Sequence, residues 1–342
     1  MSFNKDDVIS GIVATMLANE SARTAHICCL YDGNSIVQSV TSSQVRENRP
    51  HQFLLYSITK TMAAVVALHL VRQNQLALDG ELGAWLPEFS PAGEFSLRQL
   101  LQHTAGLPDY GGLQIYHEAV RRGDPPWTGE EFLDRTNARQ LRFTPGTSFS
   151  YSNIGYMLLR RVLTRATGAS FENVLHRTVF VPSAMDDATI PTAKVDLSAF
   201  TFGPSPYLGS PNQPADVAQC YDPGWIATGV VGASPVSAAR FVHALFAGGL
   251  LPTELLNEMQ KGYSVGTAGG IWHRPAYGLG LMMDTDADGT TMLGHRGGGP
   301  GCSPAVFHFP QKKDLLTVCV ITDGEDADQP VAMIRTIAKQ FS

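Results

Sequence analysis

A chain of 342 residues is long enough for one large domain or two lobes around a sizeable core. With 44% hydrophobic and 16% charged residues it has the composition of a soluble globular protein, and a net charge of −6 without any basic cluster excludes a nucleic-acid footprint. The longest apolar run, Met62 to Val71, is about half the roughly twenty residues of a membrane span, so no membrane partner is expected.

In chain order, Val8 to Ala18 imitates the apolar core of a signal peptide. However, Asp6 and Asp7 precede it, and Val8, Ile9, Ile12, Val13, Met16 and Leu17 share one helical face. It reads as an amphipathic helix of the mature protein. Ala25 to Tyr31 and Ser35 to Val40 form a hairpin around Asp32-Gly33-Asn34, followed by a polar stretch from Thr41 to Gln52. Phe53 to Tyr56 leads into a helix that runs to Arg72. Between Gln75 and Ser264 the pattern is helical, with segments at Leu97–His103, Glu130–Asn137, Ile154–Ala166, Phe171–Val179 and Ala238–Ala247. Within that region Thr189 to Gly224 holds six prolines and little periodicity, and is expected to be a long ordered loop walling a cleft. Strands return at Gly278–Met283, Thr290–Leu293, Ala305–Phe309 and Leu315–Thr322, before a last helix from Gln329 to Phe341.

Strands at both ends and helices between them predict an α/β (α+β) fold: an antiparallel sheet built from both chain ends, flanked by helices, with an inserted mostly helical lobe. The whole chain, 1–342, is expected to be one catalytic domain, with 1–60 and 265–342 in the sheet lobe and 61–264 in the helical lobe. Ser57 should lie at the seam, where ligand sites commonly form.

Ser57 opens its helix, which by itself predicts only a cap. Lys60 raises the stakes, because three residues along a helix it shares the face of Ser57, with Cβ atoms roughly 5–6 Å apart. A hydroxyl nucleophile needs a neighbour to take its proton, and a desolvated lysine can be neutral enough to do so. Such a pair needs partners elsewhere in the chain. Tyr151-Ser152-Asn153 stands just before a helix, so it is either a turn with a helix cap or a proton relay through Tyr151, with Asn153 holding lysine or substrate. His295-Arg296-Gly297-Gly298 follows a strand. Its glycines permit close backbone approach and N–H donation to an oxyanion, or simply a bend between strands.

These three elements, in this order, resemble the penicillin-recognising serine hydrolases, with Ser-x-x-Lys, then Tyr/Ser-x-Asn, then Lys/His-Thr/Ser-Gly. The chain is most similar to the class C β-lactamase-related branch, which includes family VIII esterases, D-aminopeptidases and D-Ala-D-Ala carboxypeptidases. Leu97–Tyr110, Pro145–Leu175 and Gly229–Gly249 extend the resemblance over nearly the whole chain from Leu54. It implies Ser57 as the acylated nucleophile, Lys60 as proton acceptor, and Tyr151 as the relay to the leaving group. It also implies Asn153 as orienter and the backbone N–H groups of Ser57 and Gly298, beside Gly297, as oxyanion hole. His295 would replace the cation of the third motif. Arg296 stands where a Thr or Ser is usual, which removes a hydroxyl for a substrate carboxylate and makes β-lactam hydrolysis a less favoured activity. Arg296 either supplies a cation for a substrate acid or faces solvent.

Three other patterns are expected to be structural. Gly301-Cys302-Ser303-Pro304-Ala305 imitates a nucleophile elbow, but Pro304 has no N–H to give an oxyanion. Asp284 to Gly289 imitates half of a calcium loop, but its twelfth position is His295 and its flanks are strands. His103-Thr104-Ala105-Gly106-Leu107 closes a helix near the cleft. No metal spacing occurs among the histidines, and no cofactor is implied. Five cysteines without a C-x-x-C pair suggest neither a disulfide framework nor zinc, and with no export signal recognised the expected location is cytoplasmic.

The reading is a serine hydrolase acting on a small ester, amide or D-amino-acid-containing substrate. The alternatives are a β-lactamase, a D-Ala-D-Ala carboxypeptidase, an acyltransferase, or a non-catalytic scaffold that keeps the fold. Nothing in the pattern specifies an oligomeric state.

Overall fold

The computed structural model describes residues 5–18, 22–41, 51–266, 269–312 and 315–341. Its helices are α1 (Lys5–Leu17), α2 (Ile58–Arg72), α3 (Leu97–Leu101), α4 (Gln114–Arg122), α5 (Gly129–Arg135), α6 (Asn153–Thr167), α7 (Phe171–Leu175), α8 (Val217–Cys220), α9 (Pro235–Phe246), α10 (Thr253–Met259) and α11 (Gln329–Ala338). Its strands are β1 (Thr24–Tyr31), β2 (Asn34–Thr41), β3 (Phe53–Leu54), β4 (Ser205–Ser210), β5 (Gln213–Ala215), β6 (Gly232–Ala233), β7 (Tyr263–Ser264), β8 (Ala276–Tyr277), β9 (Met282–Thr285), β10 (Thr291–Arg296), β11 (Ser303–Phe309) and β12 (Leu316–Thr322).

Eight strands form one antiparallel sheet in the order β2-β1-β12-β11-β10-β9-β8-β7, so β1 from the N-terminal part lies against β12 from the C-terminal part. Alternation along each strand sends side chains to opposite faces. On one face Ile27, Cys29, Phe307, Val318 and Val320 pack with Ile9, Val13, Val331, Ile334 and Ile337 of α1 and α11. On the other, Cys28, Val306, Cys319 and Ile321 join the larger core that contains α2 and α9. Cys28 and Cys29 thus face opposite sides, as their adjacency in a strand predicts. The sheet from both chain ends, flanked by helices, is the expected architecture.

The differences are local. Helix α9 lies in the segment assigned to the helical lobe, yet it packs on β1, β11 and β12, because Ala238, Phe241, Val242 and Leu245 make an apolar stripe that needs the sheet face. Helices α4 and α10 have no counterpart in the sequence reading. Residues 278–281 are not strand, and the sheet path is carried by the short β8 and β9 on either side of them. The proline-rich stretch from Thr189 to Gly224 is more structured than a loop, since it folds back as the β4–β5 hairpin and carries α8. Most of the polar stretch after β2 lies outside the described residues.

Ser303 is fully buried in β11. Asp284 accepts the N–H groups of His273 and Arg274, and with Asp286 it pairs with Arg335, so an arginine satisfies the acids that resembled a calcium loop. Among the described residues no helix is long and apolar enough to cross a membrane.

Candidate active site

Helix α2 is the structural centre of the site. Every residue from Ile58 to Leu68 is buried, as expected of a helix that is apolar on all sides and enclosed by others. Its entry is fixed from several directions. β3 pairs with β6, the Leu55 N–H donates to Val231 at 2.8 Å, and the Val231 N–H donates to Thr59 Oγ1 at 2.9 Å. Tyr56, directly before Ser57, takes the left-handed backbone conformation (φ 43°), and its hydroxyl donates to the Pro300 carbonyl at 2.7 Å. A non-glycine residue held there is strained and must be over-determined by its surroundings, as Tyr56 is.

Ser57 occupies the cap position of α2 but makes no capping bond, so the bland expectation for it fails. Its Oγ instead lies 2.9 Å from Lys60 Nζ. Lys60 is almost wholly enclosed, and burial draws its pKa down to about 7, opposed by the negative charge of Asp109. The amine sits 5.1 Å from the centre of the Tyr151 ring. Burial raises the Tyr151 phenol well above its ordinary range, with hydrogen bonding to Ser57 acting in the opposite direction. Ser57, Lys60 and Tyr151 are therefore together, one lysine near neutrality beside a phenol that holds its proton.

The Tyr151–Asn153 segment carries the helix cap that the sequence offered. Ser152 caps α6 by accepting the Gly155 N–H at 3.1 Å, and its hydroxyl donates to the Pro108 carbonyl at 2.6 Å. That leaves Tyr151 and Asn153 on either side to face the cleft. Two residues without a role in the sequence reading hold this segment. Asp109 accepts the Asn153 N–H at 2.7 Å. His103 accepts the Ser152 N–H at 3.1 Å through Nδ1, and its ring lies 4.3 Å from that of Tyr151. Both belong to the run from His103 to Tyr110, whose only sequence signal was its place in the family resemblance.

On the opposite wall, Gly297 and Gly298 follow β10. A Cβ on Gly297 would meet the Leu55 carbonyl oxygen at 2.7 Å and Ser57 N at 3.0 Å, so only glycine lets this strand end lie against the nucleophile. The Gly297 N–H is spent on the Pro304 carbonyl at 2.7 Å. Neither Gly298 N nor Ser57 N donates to another residue among those described.

His295 requires a correction. It is not beyond the strand but within β10, 1% exposed, and it lines neither cavity at Ser57. Its Nδ1 donates to the Arg296 carbonyl at 2.5 Å, which leaves Nε2 to accept the Tyr277 hydroxyl at 2.9 Å. Burial and the charge of Lys60 lower its pKa to about 3, so it is a neutral strut and not a cation. Arg296 also differs from both expectations. It lines a cavity at Ser57, but it pairs with Asp328 and its guanidinium lies 5.3 Å from the Trp272 ring centre.

Two cavities share Ser57 and Gly298. One, about 430 Å3, is walled by tyrosines 56, 110, 116, 207 and 221 with Glu325, and Tyr207 and Tyr221 come from the proline-rich stretch. The other, about 550 Å3, is walled by Phe149, Trp272, Tyr277, Met282 and Met283, with Arg296 at its edge. A reacting group at Ser57 therefore has room for a substituent on each side.

Comparison with known proteins agrees with this architecture. The chain is 22% identical over 308 residues to penicillin-binding protein 4* of Bacillus subtilis, a match covering 86% of this chain and 66% of that protein. It is 30% identical over 164 residues to esterase EstB of Burkholderia gladioli, covering 44% of this chain and 41% of the esterase. It spans less than two thirds of either relative. The structure of the D-amino acid amidase from Ochrobactrum anthropi SV3 superimposes with a TM-score of 0.83 at 21% identity, over 98% of this chain and 99% of the amidase. The Beta-lactamase family model matches residues 9–340, and with the fold and the motifs in place the chain belongs to that family.

Proposed function

We propose that this protein is a serine hydrolase that forms an acyl-enzyme on Ser57 and then hydrolyses it, acting on a small ester or amide. The observation that carries this reading is the 2.9 Å approach of Lys60 Nζ to Ser57 Oγ by an amine whose pKa burial draws down to about 7. A neutral Lys60 takes the hydroxyl proton as Oγ attacks the carbonyl carbon. The developing oxyanion accepts hydrogen bonds from the N–H groups of Ser57 and Gly298, which have no other partner among the described residues. Tyr151, whose phenol keeps its proton, donates it to the leaving group, and Lys60 then restores the phenol. Asn153 orients the substrate from the cavity wall. Water attacks the acyl-enzyme by the same route in reverse. The directions of the two shifts favour Lys60 over Tyr151 as the base for acylation.

Esterase EstB and the D-amino acid amidase support ester and amide bonds as the targets. The lining of the cleft supports substrates without a carboxylate near the scissile bond. Among the described residues that line it, the lysine and arginine side chains are Lys60, held near neutrality, and Arg296, engaged by Asp328. β-Lactams and D-Ala-D-Ala peptides carry that carboxylate.

The test is turnover of p-nitrophenyl butyrate, D-alanine p-nitroanilide and nitrocefin by the wild type and Ser57→Ala. Repeated turnover of the ester or the D-amide, abolished in Ser57→Ala, is the expected result. If no substrate turns over and none acylates Ser57, the hydrolase reading fails and a scaffold becomes the better account.

A further inference from the structure

Ile226 lines the Ser57 cleft and also a second cavity of about 540 Å3 that contains none of Ser57, Lys60, Tyr151 or Asn153. Its walls come from Trp127, from α5 and α6, and from the segments around Pro191 and Pro223. Trp127, Phe132, Met157 and Ile190 make it apolar, and two arginines of α6 give it charge.

Those arginines are not equivalent. Arg161 is met by Glu130 at 3.0 Å and Glu88 at 3.5 Å, and Arg165, one turn on, is met by Glu88 at 2.9 Å. Arg160 has no carboxylate partner, and its side chain donates to no acceptor among the described residues. Burial shifts its pKa downwards, and among the described residues no acid opposes the shift. The guanidinium rests 5.3 Å from the Phe171 ring centre, and a Cβ on Gly229 would stand 3.3 Å from its Nη1, so it is held between an aromatic ring and bare backbone. Among the described residues no aspartate or glutamate lines the cavity. This half-buried guanidinium has five N–H donors in a planar fork, and none is met by a protein acceptor among the described residues. The group that answers such a fork is a carboxylate, which it binds in bidentate fashion.

We propose that this cavity is a binding site for a small carboxylate with an apolar or aromatic body, the carboxylate on Arg160 and the body against Trp127 and Phe132. The site is independent of the chemistry at Ser57, although the product acids of a hydrolase belong to the same ligand class. Ile226 lines both cavities, so occupancy of one bears directly on a wall of the other.

The test is titration of the full chain with 3-phenylpropionate by calorimetry and tryptophan fluorescence, with 3-phenylpropan-1-ol as the uncharged control. The wild type should show saturable one-site binding of the acid, with the alcohol weaker by roughly tenfold or more, as expected for one lost charged hydrogen-bond pair. Arg160→Gln should weaken the acid to the level of the alcohol, and Arg160→Lys should recover part of the loss. Unchanged melting temperatures show that the variants are folded. Unchanged ester turnover in Arg160→Gln shows that the Ser57 cleft is not the site lost. Absence of saturable binding to the wild type, equal affinity for acid and alcohol, or full affinity in Arg160→Gln would each overturn the proposal.

Discussion

Replacing Lys60 by methionine should make the protein more stable at neutral pH, by an amount that disappears as the pH rises. The unfolded chain holds the lysine proton up to about pH 10.5, whereas burial in the fold releases it near 7. Between those values unfolding takes up a proton, so the stability of the wild type rises with pH across the window and is lowest at 7 and below. At about 1.4 kcal/mol for each tenfold, the full gap is worth roughly 4–5 kcal/mol. The variant also loses the contact with Ser57, which offsets about 1 kcal/mol. A net gain of about 3 kcal/mol at pH 7 corresponds to a rise in Tm of roughly 4 °C, taking an unfolding entropy of about 2.1 cal/mol/K per residue over the whole chain. The assay is Tm of the two proteins at intervals from pH 6.5 to 10, read as a difference so that all other titrations cancel. A gap that closes steadily towards pH 10 is expected. A constant gap, or a variant less stable at pH 7, would refute the claim that Lys60 is buried near neutrality.

Other expectations concern rate. Acylation should rise with pH through a single group near 7, because a protonated Lys60 cannot accept the serine proton. A pre-steady-state burst measured from pH 5 to 9 reads this directly. In Asp109→Asn the limb should move to lower pH, because the Asp109 charge holds the lysine pKa up. An unmoved limb would assign it to another group. In Gly297→Ala the new Cβ cannot fit against the Leu55 carbonyl and Ser57 N without moving backbone. It should cost about 2–3 kcal/mol in kcat/KM by displacing an oxyanion donor, with KM little changed.

Much of this arrangement is visible in the amino-acid order because it depends on short-range spacing. Ser57 and Lys60 meet because they are three apart on a helix, and the faces of β1, β11 and β12 follow from alternation. The first residue whose role could not be read is His295. Motif position suggests a cation there, but its charge is decided by burial and by the nearby charge of Lys60, which come from packing and from another element of the chain. Arg296 is similar, since its partner Asp328 lies 32 positions away. Asp109 and His103 act on the 151–153 segment through contacts more than forty residues distant in sequence. The proline-rich stretch was legible as a wall of the cleft but not as a hairpin, because Pro204, Pro206, Pro211 and Pro214 mask the period of strands that use few ladder bonds.

The central claim is a covalent bond to one oxygen atom, and intact mass after rapid acid quench tests it most directly. Mixing the wild type with p-nitrophenyl butyrate should add the mass of one butyryl group, located by peptide mapping to Ser57, decaying as substrate is exhausted and absent from Ser57→Ala. Turnover with no adduct on Ser57, or an adduct that persists in Ser57→Ala, would contradict the account.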